Sequence, residues 1–280
     1  MNESTEQITL NLGLNLQEKS LQEVPLKPSK KGTQEWASTT VNIANGCQHN
    51  CRYCYARSDA LRFGRISHTE DWQKESLKKV LPRIKRFPGR VMFPSTHDIT
   101  PELLDESVRF LRDLLAVGNE VLVVSKPHLH CIERLCREFM NYRSKLIFRF
   151  TIGSCCNDLT SFWEPCAPPA TERIACLAHA YRHGFTTSVS IEPMLSGAID
   201  AIATFHALKD FVREKIWIGR MNQVGRRVDQ RDPAVQKACN AIRALQSDKE
   251  MLKLVATLRS EAKVQWKDSI SEIVERANAS

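Results

Sequence analysis

Six short β-rich runs, at residues 39–45, 90–94, 120–125, 145–152, 186–191 and 215–218, are separated by stretches long enough for helices. That alternation restricts the chain to α/β architectures with a parallel sheet. Parallel neighbours need crossover connections, and amphipathic stripes between the runs can supply them. Leu77, Val80, Leu81, Ile84 and Phe87 form one stripe, and Ile174, Leu177, Ala178 and Tyr181 form another. Thr100, Pro101 and Glu102 read as an N-cap, a first-turn proline and a first-turn carboxylate, so a helix carrying Leu104, Val108, Leu111 and Leu115 is predicted to begin there. His97 and Asp98 then fall in a strand-to-helix loop. After residue 225 the pattern turns helical, over 232–245 and 249–274, with no further strand predicted. The fold expected is an α/β partial (β/α)6 TIM-type barrel over residues 37–225, with a polar N-terminal extension (1–36) and a helical C-terminal segment (226–280). Chemistry in such a barrel collects beyond the carboxyl ends of the strands.

Directly after the first run comes Cys47-Gln-His-Asn-Cys51-Arg-Tyr-Cys54, which puts three thiols on one loop where a barrel site would be. Three sulfurs suit three irons of a cubane and leave the fourth iron without a protein ligand, the open position that a metal needs to bind a substrate. The rival is a structural zinc site completed by His49 or a distant cysteine, although neither a second paired knuckle nor the ordinary finger spacing follows. Ten cysteines in 280 residues, irregularly spaced, fit a reducing compartment better than a disulfide scaffold. No apolar run resembles a leader peptide or a membrane span, so a soluble, cytoplasmic protein with no membrane partner is expected.

The cysteine spacing, with Tyr53 before the third cysteine, resembles the radical S-adenosylmethionine superfamily. More specifically, the chain looks like its spore photoproduct lyase-like branch, through Thr96-His-Asp98, Lys126, Glu164-Pro-Cys-Ala-Pro168 with Arg173, and Pro193-Met-Leu-Ser-Gly197. The resemblance implies a 4Fe-4S cluster on Cys47, Cys51 and Cys54. It further implies reductive cleavage of S-adenosylmethionine to a 5′-deoxyadenosyl radical, and a flavodoxin or ferredoxin-type electron donor. It places Tyr53 near the adenine, Lys126 and Thr151 at the carboxylate and polar groups, Ser95, Thr96 and Asp98 at the ammonium group, and Arg173 among the cofactor-binding residues. Serine stands where the lyases themselves carry a cysteine hydrogen donor. A lyase-type step here would therefore draw on Cys155 or Cys156, which follow the fourth run.

Glu192 and Arg220 end the fifth and sixth runs, where Glu192 would meet a ribose and Arg220 an anion, unless the two simply pair. His128 and His130 follow the Lys126 position and read as caps or substrate contacts. His179 and His183 read as a solvated helix face, and Cys131, Cys136 and Cys176 as core thiols. Forty Lys and Arg against 32 Asp and Glu leave a net charge of +8. Lys78, Lys79, Arg83, Lys85, Arg86 and Arg90 read as the wet face of a helix, with nucleic acid as a candidate partner. Three functions follow: a radical enzyme acting on a nucleic acid or nucleotide-derived substrate, a zinc-stabilised nucleic-acid-binding module, or a radical enzyme acting on a peptide or small metabolite.

Overall fold

The computed structural model describes residues 31–279; the first thirty residues of the N-terminal extension lie outside the described residues. Seven parallel strands run β1 (Thr39–Thr40), β4 (Val91–Phe93), β5 (Val121–Ser125), β6 (Leu146–Thr151), β7 (Thr186–Ile191), β8 (Ile216–Ile218) and β9 (Val264–Trp266), in that spatial order. Every neighbouring pair in this sheet is parallel, and the sheet curls into an open half-barrel. A small antiparallel pair, β2 (Ala44–Asn45) and β3 (Ser76–Leu77), stands apart from it. The run at 39–45 is thus two strands in two sheets, and the turn between them aims the following cysteines.

Alternation along the strands divides core from cavity. Val91, Phe93, Val121, Val123, Phe148, Phe150, Val189, Ile191, Ile216 and Ile218 join one buried apolar cluster beneath the helices. The residues between them include Arg149, Thr151, Ser188 and Ser190, so the inner surface of β6 and β7 is polar. Helices α2 (Leu104–Ala116), α3 (Leu129–Glu138), α5 (Ala170–Arg182) and α6 (Ala198–Leu208) supply the crossovers. Asp105 and Glu106 lie in the first turn of α2, favourable beside the positive end of its dipole. Pro101–Leu103 form a 3-10 turn before it, with Thr100 donating its hydroxyl to Glu75 rather than capping the turn.

Two predictions from periodicity are corrected. The stripe from Leu77 to Phe87 is not a helix: beyond β3 the chain is irregular as far as Gly89, and Val80 is 83% exposed. Pro82 removes an amide donor in mid-run and disfavours helical geometry at Leu81, which defeats the spacing. The first crossover instead uses α1 (Tyr55–Arg62) and this strap. The predicted helix over 249–274 is also interrupted, into α9 (Asp248–Leu258), β9 and α10 (Asp268–Ala279). Three residues are too short to show a period, but β9 pairs with β8 from Val264 to Trp266 and is the seventh strand. With α4 (Asn157–Trp163), α7 (Val224–Arg227) and α8 (Pro233–Leu245), these complete the α-helices among the described residues.

Strands β1 and β9 are the free edges of the sheet, and the segment before β1 spans the opening between them. Lys267, 1% exposed, ion-pairs with Glu35, donates to the Gly32 carbonyl at 2.8 Å and stands 4.6 Å from the Trp36 ring centroid. Gly32 N–H donates to Asp268, and Lys31 pairs with Glu272 at 2.6 Å. Among the described residues, no helix is long and apolar enough to cross a membrane.

Candidate active site

The cysteine loop is shaped before any ligand is considered. Gly46 precedes Cys47 at φ +81°, and a Cβ there would lie 2.7 Å from the Trp72 carbonyl and 2.8 Å from that of Lys74, so only glycine fits. Cys47 N–H donates to the same Trp72 carbonyl at 2.8 Å. Cys54 is the N-cap of α1, and its Sγ accepts from Arg57 N–H at 3.4 Å. Arg57 donates to Asn50 and to the Arg52 carbonyl, each at 2.9 Å, holding Asn50 at φ +49°. From the far side, Arg52 donates its amide to Trp163 O (2.8 Å) and Nε to Phe162 O (2.7 Å), while Cys166 N–H donates to His49 O at 3.2 Å.

A cavity of about 890 Å³ opens above the strand ends. Cys47, Cys51, Cys54, Tyr53, Ser95, Thr96, Asp98, Lys126, Thr151 and Glu192 all line it. Three predicted residues do not. Arg173 is buried beneath the cavity, and Cys155 and Cys156 lie outside the lining. Cys155 N–H donates to Thr204 on α6, and Cys156 is the exposed N-cap residue of α4. These two thiols, which follow β6, therefore do not line the cavity in which a hydrogen donor would stand.

Behind Tyr53 is a buried ionic chain. The tyrosine hydroxyl donates to Glu164, which pairs with Arg173 at 2.5 Å, both wholly buried. Arg173 also donates to the carbonyls of Pro168 (2.7 Å) and Thr151 (3.2 Å). Burial raises the Glu164 carboxyl, but Arg173 and Lys126 outweigh it and hold the group below its ordinary range. Asp98 is likewise driven up by burial and brought well below the usual carboxylate range by His49, Lys126 and Ser125. Its oxygens accept from Ser125 Oγ, from Lys126 N at 2.9 Å and from Ile99 N at 2.9 Å, and stand 3.3 Å from His49 Nδ1. Asp98 is therefore largely committed to fixing the cysteine loop, through His49, against the ends of β4 and β5.

Burial pushes the Cys51 thiol up to about 12, with Lys126 opposing, and pushes Cys47 well above its ordinary value, with Asp98 adding to the shift. Such thiols ionise when a cation arrives to compensate the thiolates. The donor set of three soft sulfurs fits iron–sulfur ligation. Among the described residues, no group of three or more His, Cys, Asp or Glu is gathered for a single metal ion, so the fit rests on the donor set and its cavity. The Lys126 ammonium, 5.8 Å from the Tyr53 ring centroid, has no hydrogen-bonded or ion-paired partner among the described residues. Cys51, Glu164 and Asp98 raise it despite burial, so it stands as a cation facing the cavity.

Across the cavity, Glu192 meets Lys267 at 3.8 Å rather than Arg220, which pairs with Asp248 at 2.9 Å. The alternative considered for these two residues, a mutual Glu192–Arg220 pair, does not form. Sequence reasoning missed Lys267, Glu35 and Trp36 here because Lys267 lies more than 200 residues along the chain from Glu35 and Trp36. It also missed Asn42, whose Oδ1 accepts from Ser95 N (2.7 Å) and Thr96 N (2.9 Å); a polar residue inside a β-rich run was the available signal. His128 stands 3.3 Å from His49, Nε2 to Nε2, outside the cavity lining. His179 and His183 stack at 4.1 Å.

No family model matches the chain. It is 28% identical over 178 residues to "Uncharacterized protein ORF301" of Acidianus two-tailed virus, a match covering 59% of this chain and 58% of that protein. The chain thus spans less than two thirds of the curated relative it matches. Streptococcus suis SuiB bound to its precursor peptide SuiA superposes with a TM-score of 0.50, at 8% identity, over 97% of this chain and 62% of that one. The fold shared with that structure is an open, partial (β/α) barrel. A radical SAM methyltransferase from Sphaerobacter thermophilus matches more loosely, at TM-score 0.44 and 14% identity over 83% of this chain and 67% of that one. In this partial barrel, the cysteine loop follows the first two strands, and the cavity lies beyond the strand ends.

Proposed function

We propose that the chain is a radical S-adenosylmethionine enzyme carrying a 4Fe-4S cluster on Cys47, Cys51 and Cys54. One observation carries this reading: three free thiols of a single loop open into one cavity beside Lys126, a cation without a bonded partner among the described residues. When bound, the cluster supplies the electron that splits the sulfonium of S-adenosylmethionine into methionine and a 5′-deoxyadenosyl radical. The chain's own groups do the rest. Lys126 offers charge-assisted hydrogen bonds to a carboxylate, and Ser95 and Thr96 offer acceptors to an ammonium group. The Tyr53 ring would offer a flat face to adenine, Thr151 and Glu192 would meet the ribose, and Arg173 acts through Glu164 to hold Tyr53. Cys155 and Cys156 have no part in this arrangement. A reduced flavodoxin or ferredoxin-type protein, in a reducing cytoplasm that keeps the ten cysteines free, supplies the electron.

Two target classes are in play. The spore photoproduct lyase-like resemblance favours a nucleic acid or nucleotide-derived substrate. The shared fold with SuiB, whose structure holds a precursor peptide, favours a peptide or small metabolite.

Anaerobic loading with iron and sulfide, followed by dithionite and S-adenosylmethionine, should release 5′-deoxyadenosine, and Cys51→Ala should lose cluster and cleavage together. A protein that loads fully with iron and sulfide yet releases no 5′-deoxyadenosine would end the enzyme reading. Zinc bound without sulfide would transfer the loop to the structural zinc alternative.

A further inference from the structure

Residues 52–90 contain eleven Lys or Arg against four Asp or Glu, an excess of seven in a chain whose whole excess is eight. The remainder, 29 against 28, is balanced. The charge excess is therefore local in the chain, to the stretch that runs from the end of the cysteine loop through α1 and the strap. The strap is not a helix with a wet face: Ile84 and Phe87 pack on the core, while Lys79, Arg83, Lys85 and Arg86 are exposed along irregular chain. None of these four, nor Arg62, Arg65 or Lys78, has an ion-paired carboxylate among the described residues. Burial lowers the Lys78 ammonium and the nearby Arg65 charge adds to the shift, so these two cations share one neighbourhood.

An aromatic platform adjoins these cations. Phe63 is 64% exposed, with the guanidinium groups of Arg62 and Arg65 at 5.3 and 5.6 Å from its ring centroid. Val80 (83% exposed) and Leu81 (49%) add apolar surface between the basic side chains. Spaced cations neutralise successive phosphates, and a ring with guanidinium neighbours stacks with bases of any identity. An acidic protein would use the charges but has no special use for the ring.

We propose that this face, from Arg62 through Arg86, binds single-stranded nucleic acid by its backbone and by stacking on Phe63. The proposal concerns a surface outside the cavity and does not depend on radical chemistry. Binding is measured without turnover, so its failure is distinct from a failure to release 5′-deoxyadenosine.

The test is fluorescence anisotropy of a labelled mixed-sequence oligonucleotide of about 15 nucleotides, titrated with the full chain from 50 to 200 mM salt. Affinity should fall steeply with salt. K79Q/R83Q/K85Q/R86Q should weaken binding and flatten the slope of log K against log salt by about 3, at about 0.7 per lost phosphate contact. Phe63→Ala should weaken binding roughly tenfold with the slope unchanged. K237Q/K249Q/R259Q, at exposed positions of α8 and the ends of α9, should bind like the parent. Thermal unfolding at the parent temperature would show each variant folded. Binding that ignores salt, or is unchanged in the quadruple variant, overturns the proposal. So does equal affinity for a duplex of the same length, or displacement of the oligonucleotide by an acidic polyglutamate peptide at matched charge.

Discussion

Glu164 and Arg173 are wholly buried, and each is the other's charge partner. Removing one member of such a pair strands the other, at a cost of about 3–5 kcal/mol, whereas replacing both with apolar groups costs far less. Glu164→Leu should therefore lower stability strongly in urea unfolding followed by circular dichroism, and adding Arg173→Met should recover much of the loss. Gly46→Ala forces a side chain into a left-handed site already closed by two carbonyls, and should cost about 1–3 kcal/mol in the same measurement. Glu192 provides a pH signature. Burial raises its carboxyl to about 7 from an ordinary 4.5; Lys267 opposes the shift, Asp268 and Glu35 add to it, and Arg227 is a weaker opposing charge. Because the folded state retains the proton that the unfolded chain has released, Glu192's contribution is present in full below about 4.5 and is lost as pH rises to about 7. Urea midpoints across that window should fall less with pH in Glu192→Gln than in the parent; an identical pH dependence would show that Glu192 does not titrate there.

At the scale of elements, local chemistry often decided the outcome. Asp232 caps α8, its carboxylate accepting from Ala234 N–H at 2.8 Å, with Pro233 at the first helical position. Asp232→Ala should cost about 1 kcal/mol in thermal or urea unfolding. Strands β4 to β8 were legible because alternating apolar residues cover one face of each. The strap was misread because an apolar spacing of three and four appears in any irregular segment that touches the core at intervals, as Ile84 and Phe87 do. Pro82 and Pro88 were the overriding signals. β9 was illegible because a three-residue strand takes its identity from its neighbour rather than from its own period.

At the scale of the whole molecule, closure depends on the last residues of the chain. β9 extends the sheet, Ile270, Ile273 and Val274 of α10 are buried in the main core, and Lys267 joins Gly32 and Glu35 to Glu192. Deleting residues 264–280 should abolish cooperative thermal unfolding rather than merely lower its midpoint, because it removes an edge strand and exposes its apolar underside together; a sharp transition in the truncated protein would show that the six remaining strands suffice. The sequence by itself determined the parallel α/β plan and the loop of three thiols beyond the first strands, since both rest on short spacings along the chain. It also determined where the charge lies. Only the tertiary structure decided which predicted residues share the cavity: Lys126, Asp98, Thr151 and Glu192 reach it, while Arg173 lies beneath it and Cys155 and Cys156 lie outside its lining. Only the folded chain could pair Lys267 with Glu35 across more than 200 residues. A side chain's direction depends on strand register and on what packs behind it, and both are set by contacts between parts of the chain that no local pattern connects.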